Sequence, residues 1–156
     1  MNRTTLSLLA TALFFTLTSE KCDKAKAEAE AAAANSSGDP KATGVELIGP
    51  RWNLSTISGG AIRLPEGVEN PFLALSPDNG VHGYTGCNKL MGTAKIDGAS
   101  LSFPGVGGTK MFCEKTKELE DAFMNVLRTT NSYKIKNGQL ILLDKSKELA
   151  TFVKVD

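Results

Sequence analysis

The chain of 156 residues carries one histidine, His82, and three cysteines, Cys22, Cys87 and Cys113. Any arrangement in which a histidine activates a serine or cysteine must therefore use His82. That residue sits in Val81-His82-Gly83-Tyr84, a strand-like stretch, where a lone histidine is ordinarily a surface or partly buried residue. Metal binding by His and Cys needs three or four ligands at characteristic spacing, and no cluster supplies them. Gly105-Val106-Gly107-Gly108-Thr109-Lys110 has the glycine content of a phosphate loop but the wrong order, with threonine before lysine and no hydroxyl after it. Carboxylates brought together by folding are the remaining route to acid–base work. The chemistry on offer is thus sparse. The expectation is no enzyme, no catalytic residue, no metal and no cofactor.

The charge balance narrows the partners. Eighteen basic and seventeen acidic residues leave a net charge of +1, and they are evenly spread along the chain. Nucleic-acid binding needs a basic face to neutralise phosphates and is not expected. The length favours one domain.

At the amino end, Arg3 precedes an uncharged run from Leu6 to Leu17. This is well short of the roughly 20 apolar residues that span a bilayer. A basic start and a short apolar core describe an export signal, assigned to residues 1–21. Cys22 resembles the acylated cysteine of bacterial lipoproteins and is the candidate lipidation site, which would anchor the protein to a membrane. Residues 22–44, rich in Ala, Glu and Lys, contain no large apolar side chain to offset the entropy of ordering. They are read as a disordered linker, a tether if Cys22 carries lipid and a tail if it does not. The expected location is the periplasm or outer membrane, or alternatively the medium.

From residue 45 to 156 short apolar segments alternate with turn signals. Strands are predicted at Arg51–Ile57, Phe72–Ser76, Val81–Thr85, Gly92–Ile96, Leu101–Phe103, Ser132–Lys136, Gln139–Leu143 and Leu149–Val155. Asn137-Gly138 gives a strong hairpin signal. One stretch, Lys115–Arg128, has helical spacing instead. Leu119, Ala122, Phe123, Val126 and Leu127 fall on one stripe, with acids toward its start and Arg128 near its end. The expected fold is mainly β (α+β): a small antiparallel barrel or rolled sheet of about eight strands, with one amphipathic helix covering an edge or plugging the barrel.

In an oxidising compartment Cys87 and Cys113 tend to join. Chain entropy assigns such a closure roughly 3.5 kcal/mol. The alternative is a pair of buried thiols packing as small hydrophobes. Gly86-Cys87-Asn88 fits a tight corner, because glycine reaches backbone angles that other residues avoid and asparagine bonds neighbouring main chain. The corner is read as structural, with a ligand or partner site as the alternative.

Tyr84-Thr-Gly-Cys-Asn88, Gly92, Leu101, Phe103 and Thr109-Lys-Met-Phe-Cys113 together resemble the META domain family, to which HslJ-like heat-shock lipoproteins belong. Trp52-x-Leu54, the Glu-rich helix and Leu140-x-Leu142 extend the resemblance over roughly Gly49–Val155. It implies an open β-barrel with a helix, a bacterial cell-envelope setting, links to heat shock or antibiotic tolerance, and no established catalysis. The motif residues are Gly86, Cys87, Asn88, Thr109, Met111 and Cys113. The leading function is therefore a monomeric, non-catalytic envelope protein acting on an unknown envelope component. Alternatives are a ligand carrier lined by Trp52, Leu54, Phe72, Phe103 and Phe152, or an inhibitor of a secreted enzyme acting through Arg63–Pro71.

Overall fold

A computed structural model describes residues 44–155. The stretches read as an export signal and a linker, with Cys22 between them, lie outside the described residues. The elements, in order, are α1 (Gly44–Leu47), β1 (Arg51–Ile57), β2 (Gly60–Ala61), β3 (Phe72–Leu75), β4 (Gly80–Tyr84), β5 (Lys89–Thr93), β6 (Lys95–Asp97), β7 (Ser100–Ser102), β8 (Gly107–Gly108), α2 (Lys117–Thr129), β9 (Ser132–Lys136), β10 (Gln139–Asp144) and β11 (Lys147–Val155). A short 3₁₀ turn, Glu114–Thr116, leads into α2.

Every strand pairing is antiparallel, in the order β6-β7-β9-β10-β11-β1-β3-β4-β5-β8, with β2 attached to β1. The strands β5 and β6 are separated only by Ala94, yet β5 pairs with β4 and β6 with β7. One continuous stretch thus serves the two opposite sides of the order, β6 at one end and β5 next to β8 at the other, and the sheet is rolled into a half-barrel. Counting Lys89–Asp97 as one bent strand, and setting aside the two-residue β2 and β8, leaves eight. The strand expected at Gly92–Ile96 is divided at the bend. Buried Ala94 turns its N–H to the Asn79 carbonyl at 2.9 Å and leaves the ladder.

Period-2 alternation sorts side chains between the two faces. Trp52, Leu54, Leu73, Leu75, Val81, Leu90, Leu101, Tyr133, Leu140, Leu142 and Phe152 point inward and are buried. Within α2, Phe123, Val126 and Leu127 of the expected stripe are buried in the same core, and the Phe123 and Phe152 rings lie 5.8 Å apart. The helix packs on β1 and β7. It stops at Thr130, whose backbone turns extended while its N–H and Oγ1 both bond the Val126 carbonyl, at 3.0 and 2.7 Å. Asn137 and Gly138 both have positive φ, 52° and 71°, as the two-residue hairpin between β9 and β10 requires. Ahead of the barrel, the fully buried Leu47 of α1 accepts a 3.0 Å hydrogen bond at its carbonyl from Trp52 Nε1. Among the described residues no helix is long and apolar enough to cross a membrane.

Candidate functional site

Between β4 and β5 the chain turns through Thr85–Asn88. Gly86 has φ +98°, a left-handed conformation that side chains disfavour. The turn is closed by Thr85 N–H donating to the Asn88 carbonyl at 2.9 Å and by Asn88 N–H donating to Thr85 Oγ1 at 3.0 Å. This aims the Asn88 side chain, 2% exposed, at the segment Thr109–Cys113. Its Oδ1 accepts from Thr109 Oγ1 at 2.7 Å and from Met111 N–H at 2.8 Å. Its Nδ2 donates to the Met111 carbonyl at 3.0 Å and to Glu120 Oε1 of α2 at 2.8 Å. Both donor hydrogens and both acceptor positions of the amide are thus used. Cys87 and Cys113 form a disulfide, with Cα atoms 6.0 Å apart, that fastens the far end of the same segment. Five of the six motif residues therefore meet through side chains or backbone angle at one corner. The sixth, Met111, is held there by its main chain while its side chain stays 60% exposed.

Above this corner lies a cleft of about 640 Å³ on the outer face of β1, β3, β4 and β5. Strand alternation brings Phe72, His82, Tyr84, Lys89 and Met91 outward, and cross-strand register places Phe72 opposite Tyr84, His82 opposite Met91, and Tyr84 opposite Lys89. Met111 closes one wall. Gly83 lies in the floor. A Cβ there would run into the Phe72 carbonyl, so a larger residue would push β3 off β4. At the other end Arg51 stacks its guanidinium 3.8 Å over the Phe72 ring, donates from Nε to Asn53 Oδ1 at 3.0 Å and pairs with Glu69 at 2.7 Å. These contacts are exposed, so they add little stability, but they commit the charges of both Arg51 and Glu69. The apolar rim is open: Met91 is 59% and Met111 60% exposed.

His82 thus sits in a cleft with thioethers and aromatic rings as neighbours, and Glu69 is the one carboxylate among the lining residues. Among the described residues no group of three His, Cys, Asp or Glu side chains gathers in metal-binding geometry. Of the residues considered as a carrier lining, Trp52, Leu54, Phe103 and Phe152 pack in the core, and Phe72 faces the outer cleft. The Arg63–Pro71 loop reaches the same cleft through Glu69 and is tied to the barrel by the Pro71 carbonyl, which accepts from Leu54 N–H at 2.9 Å. Arg51, Glu69, Lys89 and Met91 were not singled out by residue chemistry. The available signal was apolar character on the solvent side of alternating strands, as in Phe72 against Leu73, and Met91 against Leu90.

The fold has solved relatives. The chain is similar to a protein from Burkholderia xenovorans whose structure was determined by NMR, with 26% identity, a TM-score of 0.60, and coverage of 82% of this chain and 95% of that one. A second NMR structure matches at 20% identity and a TM-score of 0.58, over 72% of this chain and 95% of its own, and bears on the fold alone. No curated protein matches the sequence. The META domain model, however, matches residues 45–156, the stretch that builds the barrel, its helix and the Asn88 corner, and the chain belongs to the META domain family.

Proposed function

We propose that this is an exported, non-catalytic protein of the bacterial cell envelope, in which a META domain is carried on a linker and serves stress or antibiotic tolerance by engaging another envelope component. The observation that carries this reading is the Cys87–Cys113 disulfide, which fastens the corner beneath the outer cleft. Such bonds persist in oxidising compartments and are rare where thiols are kept reduced. The uncharged run Leu6–Leu17 after Arg3 supports the same destination, and Cys22 supports a lipid anchor. The domain acts as a monomer in the periplasm or at the outer membrane.

The packed interior favours binding on the outer face over a carrier with a hollow barrel. Trp52, Phe123, Tyr133 and Phe152 are among the large side chains filling the space a ligand would need. The outer cleft presents the exposed Met91 and Met111 side chains beside the half-buried Phe72 ring, which suits a binding surface.

Intact-mass measurement of the protein recovered from cells tests the reading. The expected mass lacks the export signal, begins at or near Cys22, includes acyl chains, and is 2 Da below the fully reduced value, on the order of two hydrogens for one disulfide. Retention of Met1–Leu17 would overturn export. A deletion strain indistinguishable from its parent under heat, detergent and antibiotic challenge would overturn the tolerance role.

A further inference from the structure

The chain's one histidine and two of its four methionines line a single cleft. Methionine ordinarily fills irregular gaps in cores, and Met124 of α2 packs against the core in that way. Met91 and Met111 do not: they are 59% and 60% exposed. Their placement is nevertheless controlled. His82 and Met91 are direct cross-strand partners on the outer face of β4 and β5, a relation that sets Cβ atoms roughly 4.5–5.5 Å apart. An imidazole nitrogen and a thioether sulfur can therefore converge on one point above the strands. Met111 comes from the segment beside β5, its N–H and carbonyl both fixed by Asn88 at 2.8 and 3.0 Å, and it lines the same cleft.

The donors are one imidazole and two thioethers. Thioether sulfur selects soft ions, and imidazole is compatible with them. Hard cations need oxygen ligands, and the cleft's carboxylate, Glu69, is engaged by Arg51 at 2.7 Å. Zinc sites are built from thiolate, imidazole and carboxylate, whereas the Cys87 sulfur is tied up in the disulfide. Lys89 at the rim adds positive charge, which penalises a divalent ion about twice as much as a monovalent one. Phe72 and Tyr84 flank the donors and would limit water at the ion.

We propose that His82, Met91 and Met111 form a binding site for a soft monovalent metal ion of the Cu(I)/Ag(I) class. The ion binds without change of oxidation state. The proposal extends the reading of the outer cleft as a binding surface, and it can fail while export and tolerance stand, since those are judged by mass and by the deletion strain.

The test uses the full chain carrying Cys22→Ser, which removes the remaining thiol, with the disulfide intact and Ag(I) as a redox-inert probe. NMR is expected to show one equivalent shifting the Met91 and Met111 methyls and the His82 ring together, with Met1 and Met124 unmoved. Met91→Leu/Met111→Leu keeps size and apolar character at exposed positions, so folding is retained. It should weaken binding on the order of 100-fold, and His82→Gln about tenfold, taking roughly 1.4 kcal/mol per lost ligand. Zn(II) in excess should not displace the silver. Three results would overturn the site: affinity unchanged in the double leucine variant, methionine methyls that respond separately at different stoichiometries, or binding that arises only after Cys87–Cys113 is reduced.

Discussion

The β9–β10–β11 meander and the corner from Thr85 to Cys113 are both antiparallel and both reach the core, yet they are held in different ways. In the meander, backbone ladders run from Ser132 to Val153 with one register shift, between Leu142 and Leu143, and Tyr133, Leu140, Leu142, Ala150 and Phe152 fall into the core. Its outer contacts, such as Lys134–Glu148 at 2.8 Å, are exposed and contribute little. At the corner the ladder from β5 to β8 covers only Leu90↔Gly108 and Met91↔Gly107. Beyond it the chain is secured by the Asn88 amide and the disulfide. Where a ladder ends, buried side-chain bonds must satisfy the backbone polar groups. The outward side chains there, Met91, Met111 and Phe112, are left without a packing role, and this is the part of the surface the functional proposals use.

The largest effect should come from the meander. Phe152→Ala opens a cavity against Phe123 in the shared core and should cost about 3–5 kcal/mol, read by urea unfolding. A loss below 1 kcal/mol would show that the core does not hold the barrel together there. At the corner, Cys87→Ser/Cys113→Ser should cost roughly 3.5 kcal/mol through unfolded-chain entropy. Asn88→Ala should cost about 1–2 kcal/mol, since it removes four part-buried hydrogen bonds whose partners water can reach only in part. Because both changes release the same segment, their combination should depart from additivity by at least about 0.5 kcal/mol, whereas Phe152→Ala with Asn88→Ala should add. Strict additivity of the two corner changes would mean that they fasten independent structures.

The meander was legible because its information is local. Asn137-Gly138 specifies the turn, and the short apolar runs in Gln139–Leu143 and Leu149–Val155 specify the strands on either side. The helix was legible for the same reason, its stripe placing Phe123, Val126 and Leu127 in the core. The corner was legible only in outline. Gly86 and Asn88 signal a turn, but nothing near Asn88 in sequence tells that its amide reaches Thr109, Met111 and Glu120, which are 21 to 32 residues away. The bend at Ala94 was hidden similarly, because its hydrogen bond goes to Asn79 and the preceding and following strands belong to opposite ends of the sheet. The outer cleft was hidden because four strands contribute one to three residues each, and no single segment carries the pattern.

The smallest predicted effect has the opposite sign and lies in the meander. Tyr133 points into the core from β9, 2% exposed, and among the described residues its hydroxyl has no hydrogen-bond partner. Burial pushes its phenol above the usual value of 10.0, and the charge of Glu46 adds to the shift. The sign of the pH dependence follows. The folded state holds its proton more tightly than the unfolded state, so the contribution is complete below about pH 10 and is lost as pH rises from there through the folded-state value. Tyr133→Phe removes both the unpartnered hydroxyl and the titration. It should stabilise the domain by about 1 kcal/mol at pH 7 and flatten the fall in stability above pH 10, measured as urea midpoints across the alkaline range. The benzene ring retains the packing, so a loss of stability would mean that the hydroxyl has a partner, a bound water being the simplest. In that case the meander, too, would rely on a buried polar contact, and the contrast with the corner would become one of degree.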